Sequence, residues 1–311
     1  MDATRHSDEQ VSGDWVLIGV PTSAGAHHAG QDRAPGALRA AGIVGRLRAA
    51  GVQISDAGDV AGSVFAVDHE HPRARNLAAV VAVARAVADA VATEVAAGRR
   101  PLVVGGDCTI TLGVIAGFQR VHPTVGLAYV DGDPDVGALA PDSSGILDAT
   151  GIAHLLGDGE PALAGLAGQP PLLEGSRLAM LGCDPREQSE AGRAYLAARG
   201  VSFAEAPELA ADPESTARRA LAALGGSGPI VVHFDVDVVD SGDLPLGNFP
   251  HYGSGVGLDA AAASLRVLLT DPACGGFVLT ELNPTYDADG SQLDRYVTAL
   301  TTALAPVPAA A

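Results

Sequence analysis

Aromatic side chains make up only 4% of these 311 residues, so the 47% hydrophobic content is carried mostly by alanine, valine and leucine. Side chains that small suit helices packed closely against a parallel sheet. Cysteine is scarce too: Cys108, Cys183 and Cys274 are too few and too scattered for a disulfide framework. Positive charge is in short supply, with 19 Lys and Arg against 37 Asp and Glu, a net charge of -18. That balance opposes binding to nucleic acid or anionic membranes and mildly favours cationic ligands. The N-terminus MDATRHSDEQ lacks the apolar segment of a signal peptide. No long apolar run is unbroken, since Arg85, Asp89 and Glu94 interrupt the Ala/Val stretch from Leu77 to Ala97. These absences lead to the expectation of a soluble, cytoplasmic protein.

What is present is alternation. Apolar runs of strand length fall at Trp15–Val20, Gln53–Asp56, Pro101–Val104, Gly126–Val130, Arg177–Leu181, Ile230–Phe234 and Gly276–Thr280. Ala-rich stretches of helical period fall at Gly36–Ala50, Leu77–Ala97, Thr111–Val121, Glu187–Arg199, Ser215–Leu224, Asp259–Leu269 and Asp294–Leu304. This order predicts an α/β domain with a mostly parallel sheet covered on both faces. With no internal repeat and no dividing linker, residues 1–311 are expected to form one domain, with 1–13 and 305–311 as flexible tails.

The polar residues gather where strands end. Gly105-Gly106-Asp107-Cys108 follows one strand and Asp131-Gly132-Asp133-Pro134-Asp135 another. Asp235 and Asp237 close a third, and Glu281 with Asn283 follows a fourth. In a parallel sheet these ends share one edge, where ligand sites of open α/β folds form. A buried carboxylate without a partner is costly, and several together repel one another. Five converging aspartates therefore point to a pair of divalent cations among them, and hence to a metallohydrolase.

The order GGD-x near 107, D-x-x-x-D near 131, F-D-V-D near 235 and E-x-N-P near 281 resembles the arginase/agmatinase (ureohydrolase) superfamily. The resemblance runs from about Gly19 to Pro284 and implies the three-layer αβα arginase-like fold. In that family two Mn²⁺ ions share a bridging hydroxide, which attacks a guanidinium carbon and releases urea from an amine. By motif position the metal ligands here would be Cys108, Asp131, Asp133, Asp135, Asp235 and Asp237, with Asp131 and Asp235 bridging. Glu281 would accept hydrogen bonds from the substrate's guanidinium. His154, in Thr150-Gly151-Ile152-Ala153-His154, falls where arginases place a proton-shuttling histidine. Asp133 completes the expected catalytic set with Glu281 and His154, and the family resemblance implies trimers or hexamers.

Two departures alter the chemistry. The family's GGDH is GGDC here and its D-A-H-x-D is D-G-D-P-D, so Cys108 and Asp133 stand where two histidine ligands would be. Ligand charge thus changes from -4 to -6, which makes a bound water harder to deprotonate and tightens the hold on cations. Two Mn²⁺ ions remain the expected cofactor, with Fe²⁺ or Zn²⁺ also suited to the softer thiolate. Around the substrate, Thr150 is kept. Ile152 replaces the asparagine that grips an α-carboxylate, and Asp184 is kept at the α-amine position with Glu187 beside it. A guanidino compound other than free L-arginine is therefore the expected substrate, chosen partly by the Leu244–Tyr252 loop.

Blander roles stay open for several of these residues. Cys108 could be a small buried core residue, Asp133 a turn residue before Pro134, and His154 a hydrogen-bonding group at a helix start. His233 is expected to face the core or a neighbouring helix, and His251 has no motif support. Alternative functions are hydrolysis of an N-hydroxyguanidino or formimino compound, and a non-catalytic protein that keeps the fold alone.

Overall fold

A computed structural model describes residues 13–137, 144–226 and 228–307. Residues 1–12 and 308–311, the bulk of the two expected tails, lie outside it. Eight strands form one sheet: β1 (Trp15–Val20), β2 (Ile54–Asp59), β3 (Arg100–Gly105), β4 (Gly126–Val130), β5 (Leu178–Cys183), β6 (Ser202–Glu205), β7 (Ile230–Asp235) and β8 (Cys274–Thr280). Their order is β2-β1-β3-β8-β7-β4-β5-β6, and every pairing is parallel. The parallel strands explain why both faces of each central strand are apolar, since helices cover the sheet on each side.

Alternate residues of one strand feed different layers. Leu102, Val104, Val130, Val232 and Phe234 pack on one face against α1 (Ala34–Ala40), α2 (Ile43–Ala49), α8 (Ala206–Ala211), α9 (Pro213–Ala223), α10 (Leu258–Thr270) and α11 (Ser291–Leu304). Val103, Leu127, Tyr129, Val231 and Val278 pack on the other, against α3 (Leu77–Ala96), α4 (Ile110–Gln119), α5 (Gly151–Leu155), α6 (Pro161–Ala164) and α7 (Glu190–Ala198). The result is the α/β architecture expected from the alternation, helices on both faces of a parallel sheet.

Two expectations need correction. Gly36–Ala50 is two helices, because Gly42 adopts φ 77°, a left-handed conformation that ends one helix and starts the next. Strand β6 was absent from the expected set; at four residues on the sheet's edge it has too short and polar a run to stand out.

The four strands expected to carry the chemistry, β3, β8, β7 and β4, are neighbours at the middle of the sheet. Their C-terminal ends open side by side, in the place where ligands bind in open α/β folds. Gly105 lets β3 turn into this edge: its φ is 149°, and an added Cβ would stand 2.3 Å from the Val20 carbonyl oxygen.

Candidate metal centre

A cavity of about 310 Å³ opens at this edge, lined by Cys108, Asp131, Asp133, Asp135, Asp235, Asp237 and Glu281, and also by Asp148 and Glu187. Local hydrogen bonds aim the acids. The Asp133 backbone N–H donates to Asp131 Oδ1 (2.7 Å), and the Asp237 N–H donates to Asp235 Oδ1 (2.8 Å). These two-residue turns leave each Oδ2 facing Cys108, whose Sγ lies 2.7 Å from Asp235 Oδ2 and 3.9 Å from Asp131 Oδ2. The same turn recurs at both strand ends because each is an Asp-x-Asp.

Side chains fall into groups close enough to share an ion. Cys108, Asp131, His233 and Asp235 form one; Asp133, Asp237 and His251 form a second, each with donor atoms within 4.8 Å of one another. Cys108, Asp148 and Glu281 form a third. Asp135 lines the same cavity but joins none of these groups; its Oδ2 accepts a hydrogen bond from Tyr129 Oη at 2.5 Å. Asp135 and Glu281 both hold left-handed backbone angles, φ 48° and 59°. For non-glycine residues such angles cost on the order of 1–3 kcal/mol each and cluster at functional sites.

The electrostatics suit a cation. Asp131, Asp135, Asp148, Asp235, Asp237 and Glu281 are all buried. Among the described residues no arginine forms an ion pair with any of them. Burial, then the Asp133 charge, pushes Asp131 up to about 7; burial, then Asp131, pushes Asp235 up to about 7. Asp135, Asp148, Asp237 and Glu281 are raised well above the carboxylate range by burial and then by neighbouring carboxylates, Asp107, Asp131 and Asp235 among them. Burial and the neighbouring carboxylates raise the Cys108 thiol as well. Carboxylates and a thiol crowded this way are a poor core and a good donor set for divalent transition ions, so these residues fit a metal pair.

A pH dependence follows for the protein held in chelator. Asp131 and Asp235 titrate near 3.8 when unfolded and at about 7 when folded, so the native state binds extra protons between those values. Stability should therefore fall as pH rises from about 4 to about 7. His27, His154 and His233 are lowered by burial and act in the opposite direction, but the raised carboxyls outnumber them. Saturating divalent metal should remove this loss, because the deprotonated acids become ligands. Thermal melts across pH with and without chelator check it; a chelated Tm that climbs over the window contradicts the expectation.

The expected substrate and shuttle residues are placed unevenly. Glu187 and Glu281 line the cavity. Thr150 and His154 instead line a separate hollow of about 170 Å³ with Arg73, Asp158 and Glu160, and Ile152 lies in the apolar core. His154 Nδ1 is held by the Thr150 carbonyl at 2.7 Å, so α5 turns the ring away from the central cavity. Asp184 is taken up by Arg186 (2.9 and 3.1 Å), by Ser254 at 2.5 Å and by His251 Nδ1 at 3.4 Å. Against the cost of burial, the arginine and the serine hold its carboxyl well below the usual range.

Three residues of the site went unrecognised in the sequence. Asp148 accepts the Cys108 backbone N–H at 2.7 Å, and a carboxylate oxygen of Asp148 lies within 4.8 Å of one of Glu281. Its signal was available: Ser144-Gly145-Ile146-Leu147-Asp148 repeats the pattern of Thr150-Gly151-Ile152-Ala153-His154 six residues earlier, and the later copy, ending in histidine, drew attention instead. His233 was expected to face the core and is indeed buried, but with its Nε2 towards the thiol and Asp131. His251 is buried beside Asp133 and Asp184.

Comparison with known proteins agrees with this geometry. The sequence model of the Arginase family matches residues 13–305. An arginase of Brevibacillus brevis is 29% identical over 280 residues, covering 88% of this chain and 91% of that protein. The crystal structure of an arginase from Bacillus cereus superimposes with a TM-score of 0.84 at 23% identity, over 95% of this chain and 99% of that one. The Trypanosoma cruzi formiminoglutamase, solved with Mn²⁺, superimposes with a TM-score of 0.74 at 20% identity, over 96% and 95% of the two chains.

Proposed function

This chain belongs to the arginase family, and from that premise we propose that it is a metal-dependent hydrolase that cleaves a guanidino (amidino) group into urea and an amine. The observation that carries the proposal is the meeting of Cys108, Asp131, Asp133, Asp235 and Asp237 in one cavity with Glu281, whose Oε1 has no hydrogen-bond partner among the described residues. Two divalent ions, Mn²⁺ first, would be held by those five residues, with Asp135 beside them. When bound, the ions supply a water acidic enough to act as a nucleophile near neutral pH.

The chain's own groups do the rest. Gln31 Nε2 donates to Glu281 Oε2 at 2.8 Å and so fixes the carboxylate with Oε1 facing the cavity. That free oxygen suits a guanidinium N–H, a charge-assisted contact that also aligns the planar group. Asp148, beside Glu281 and raised towards its protonated form, holds a proton at its carboxyl for the departing amine. Phe249, His27 and Asn248 also line the cavity, with Phe249 and His27 exposed to solvent. Among the described residues no arginine or lysine lines the cavity, so a substrate carboxylate would face a wall dominated by acids with no cationic side chain to pair with it. This supports a guanidino compound with an uncharged or cationic tail over free L-arginine.

A second reading concerns the substrate's basicity. Anionic donors crowd this centre, and such a set yields a less acidic metal-bound water. An N-hydroxyguanidine, less basic than a guanidine, would tolerate that better; a formimino substrate is the further variant. The test is product analysis with the Mn²⁺-loaded protein on a panel of guanidino, N-hydroxyguanidino and formimino compounds. Urea supports the first reading, while hydroxyurea or formamide moves the assignment to the second. Bound metal with no C–N cleavage from any compound overturns both in favour of a non-catalytic role.

A further inference from the structure

We propose that His233 and His251 are metal ligands through Nε2, one in each half of the centre, supplying the imidazoles that Cys108 and Asp133 do not. This rests on the reading of the cavity as a metal site. It goes beyond that reading because neither histidine occupies a motif position.

The first half is built around the thiol. His233 Nε2 lies 3.7 Å from Cys108 Sγ and 3.6 Å from Asp131 Oδ2, and Sγ lies 3.9 Å from that same oxygen. Donors at ~2.0–2.3 Å from a tetrahedral ion stand roughly 3.3–3.8 Å apart, so these three atoms are spaced close to what one ion needs. Asp235 is the fourth member of the group. The ring is fixed for the task. Nδ1 is 2.7 Å from Thr111 Oγ1 on α4, and Tyr129 stacks on the ring at 3.9 Å with planes 9° apart. A hydrogen bond at Nδ1 leaves the Nε2 lone pair facing the donors, the arrangement in which histidines bind metals.

The second half repeats the device with different residues. His251 Nε2 lies 3.3 Å from Asp133 Oδ2, and its group includes Asp237. Its Nδ1 faces Asp184 Oδ2, a carboxylate clamped by Arg186 and Ser254. That is a carboxylate–histidine–metal relay, which orients the ring and raises its basicity as a ligand. Asp184 then has a positioning role, and its burial beneath Arg186 follows from it. The competing explanation for His233 is an ordinary core hydrogen bond, since Thr280 Oγ1 also lies 3.3 Å from Nε2.

X-ray absorption on the parent protein loaded with Zn²⁺ or Mn²⁺ tests this without any substitution. Imidazole scattering from the bound ions is expected; a His27→Ala control, which removes the imidazole in the cavity's lining, should keep it. Equilibrium metal titrations then separate the halves. His233→Asn should weaken one binding step by at least about tenfold and leave the other unchanged, and His251→Asn should do the converse. Bound metal without imidazole scattering, or titrations of both variants matching the parent, overturns the proposal and leaves the metal site standing. A parent that takes up no divalent ion overturns the metal reading itself, and this proposal with it.

Discussion

Asp235→Asn should empty the centre and abolish the stabilisation by metal, so that the variant and the parent exchange rank between chelator and saturating Mn²⁺. Asparagine keeps the oxygen that accepts the Asp237 N–H, so the local turn survives. What it loses is the anionic Oδ2 facing Cys108 and the charge that helps hold the ions. Losing the several kcal/mol that bound metals contribute to the transition state corresponds to roughly 10³-fold in turnover. Metal content by elemental analysis should fall together with product release. In chelator above pH 7 the variant should melt higher than the parent, because one buried charge is gone. In saturating Mn²⁺ it should melt lower, because the parent alone gains binding energy. A variant that retains both ions and near-parent turnover would refute this assignment of Asp235.

Asp148→Asn should lower turnover by about 10²–10⁴-fold, the usual worth of a positioned acid, while His154→Asn leaves it near the parent value. The contrast rests on location. Asp148 lines the cavity close to Glu281, whereas His154 lies in the neighbouring hollow with Thr150. Asparagine at 148 can still accept the Cys108 N–H through its carbonyl, so the loop should keep its course. Metal content should be unchanged in both variants, which separates a proton-transfer defect from loss of the ions. The opposite pattern, a large loss for His154→Asn and a small one for Asp148→Asn, would return the proton-handling role to the imidazole.

Much of the site was legible because its residues sit directly after apolar runs. Asp131 and Glu281 directly follow β4 and β8, and Asp235 is the last residue of β7, so strands marked by their hydrophobicity carried both fold and chemistry. His233 was hidden for the complementary reason. It lies within a strand, where a buried side chain is normally core, and its partner Cys108 is 125 residues away in the chain. Asp184 looked free for a substrate until the loop carrying Ser254 and His251 was seen folded over it.

Most of the alternation of strands and helices and the placing of acids at strand ends follow from the sequence alone. They depend on hydrophobic periodicity and on motifs only a few residues long, which are properties of neighbours in the chain. Tertiary structure decided that β3, β8, β7 and β4 lie side by side, that Asp148 rather than His154 enters the cavity, and that two distant imidazoles stand against the thiol and Asp133. Those outcomes depend on how parallel strands are ordered in the sheet and which way each loop turns, and no local pattern encodes either.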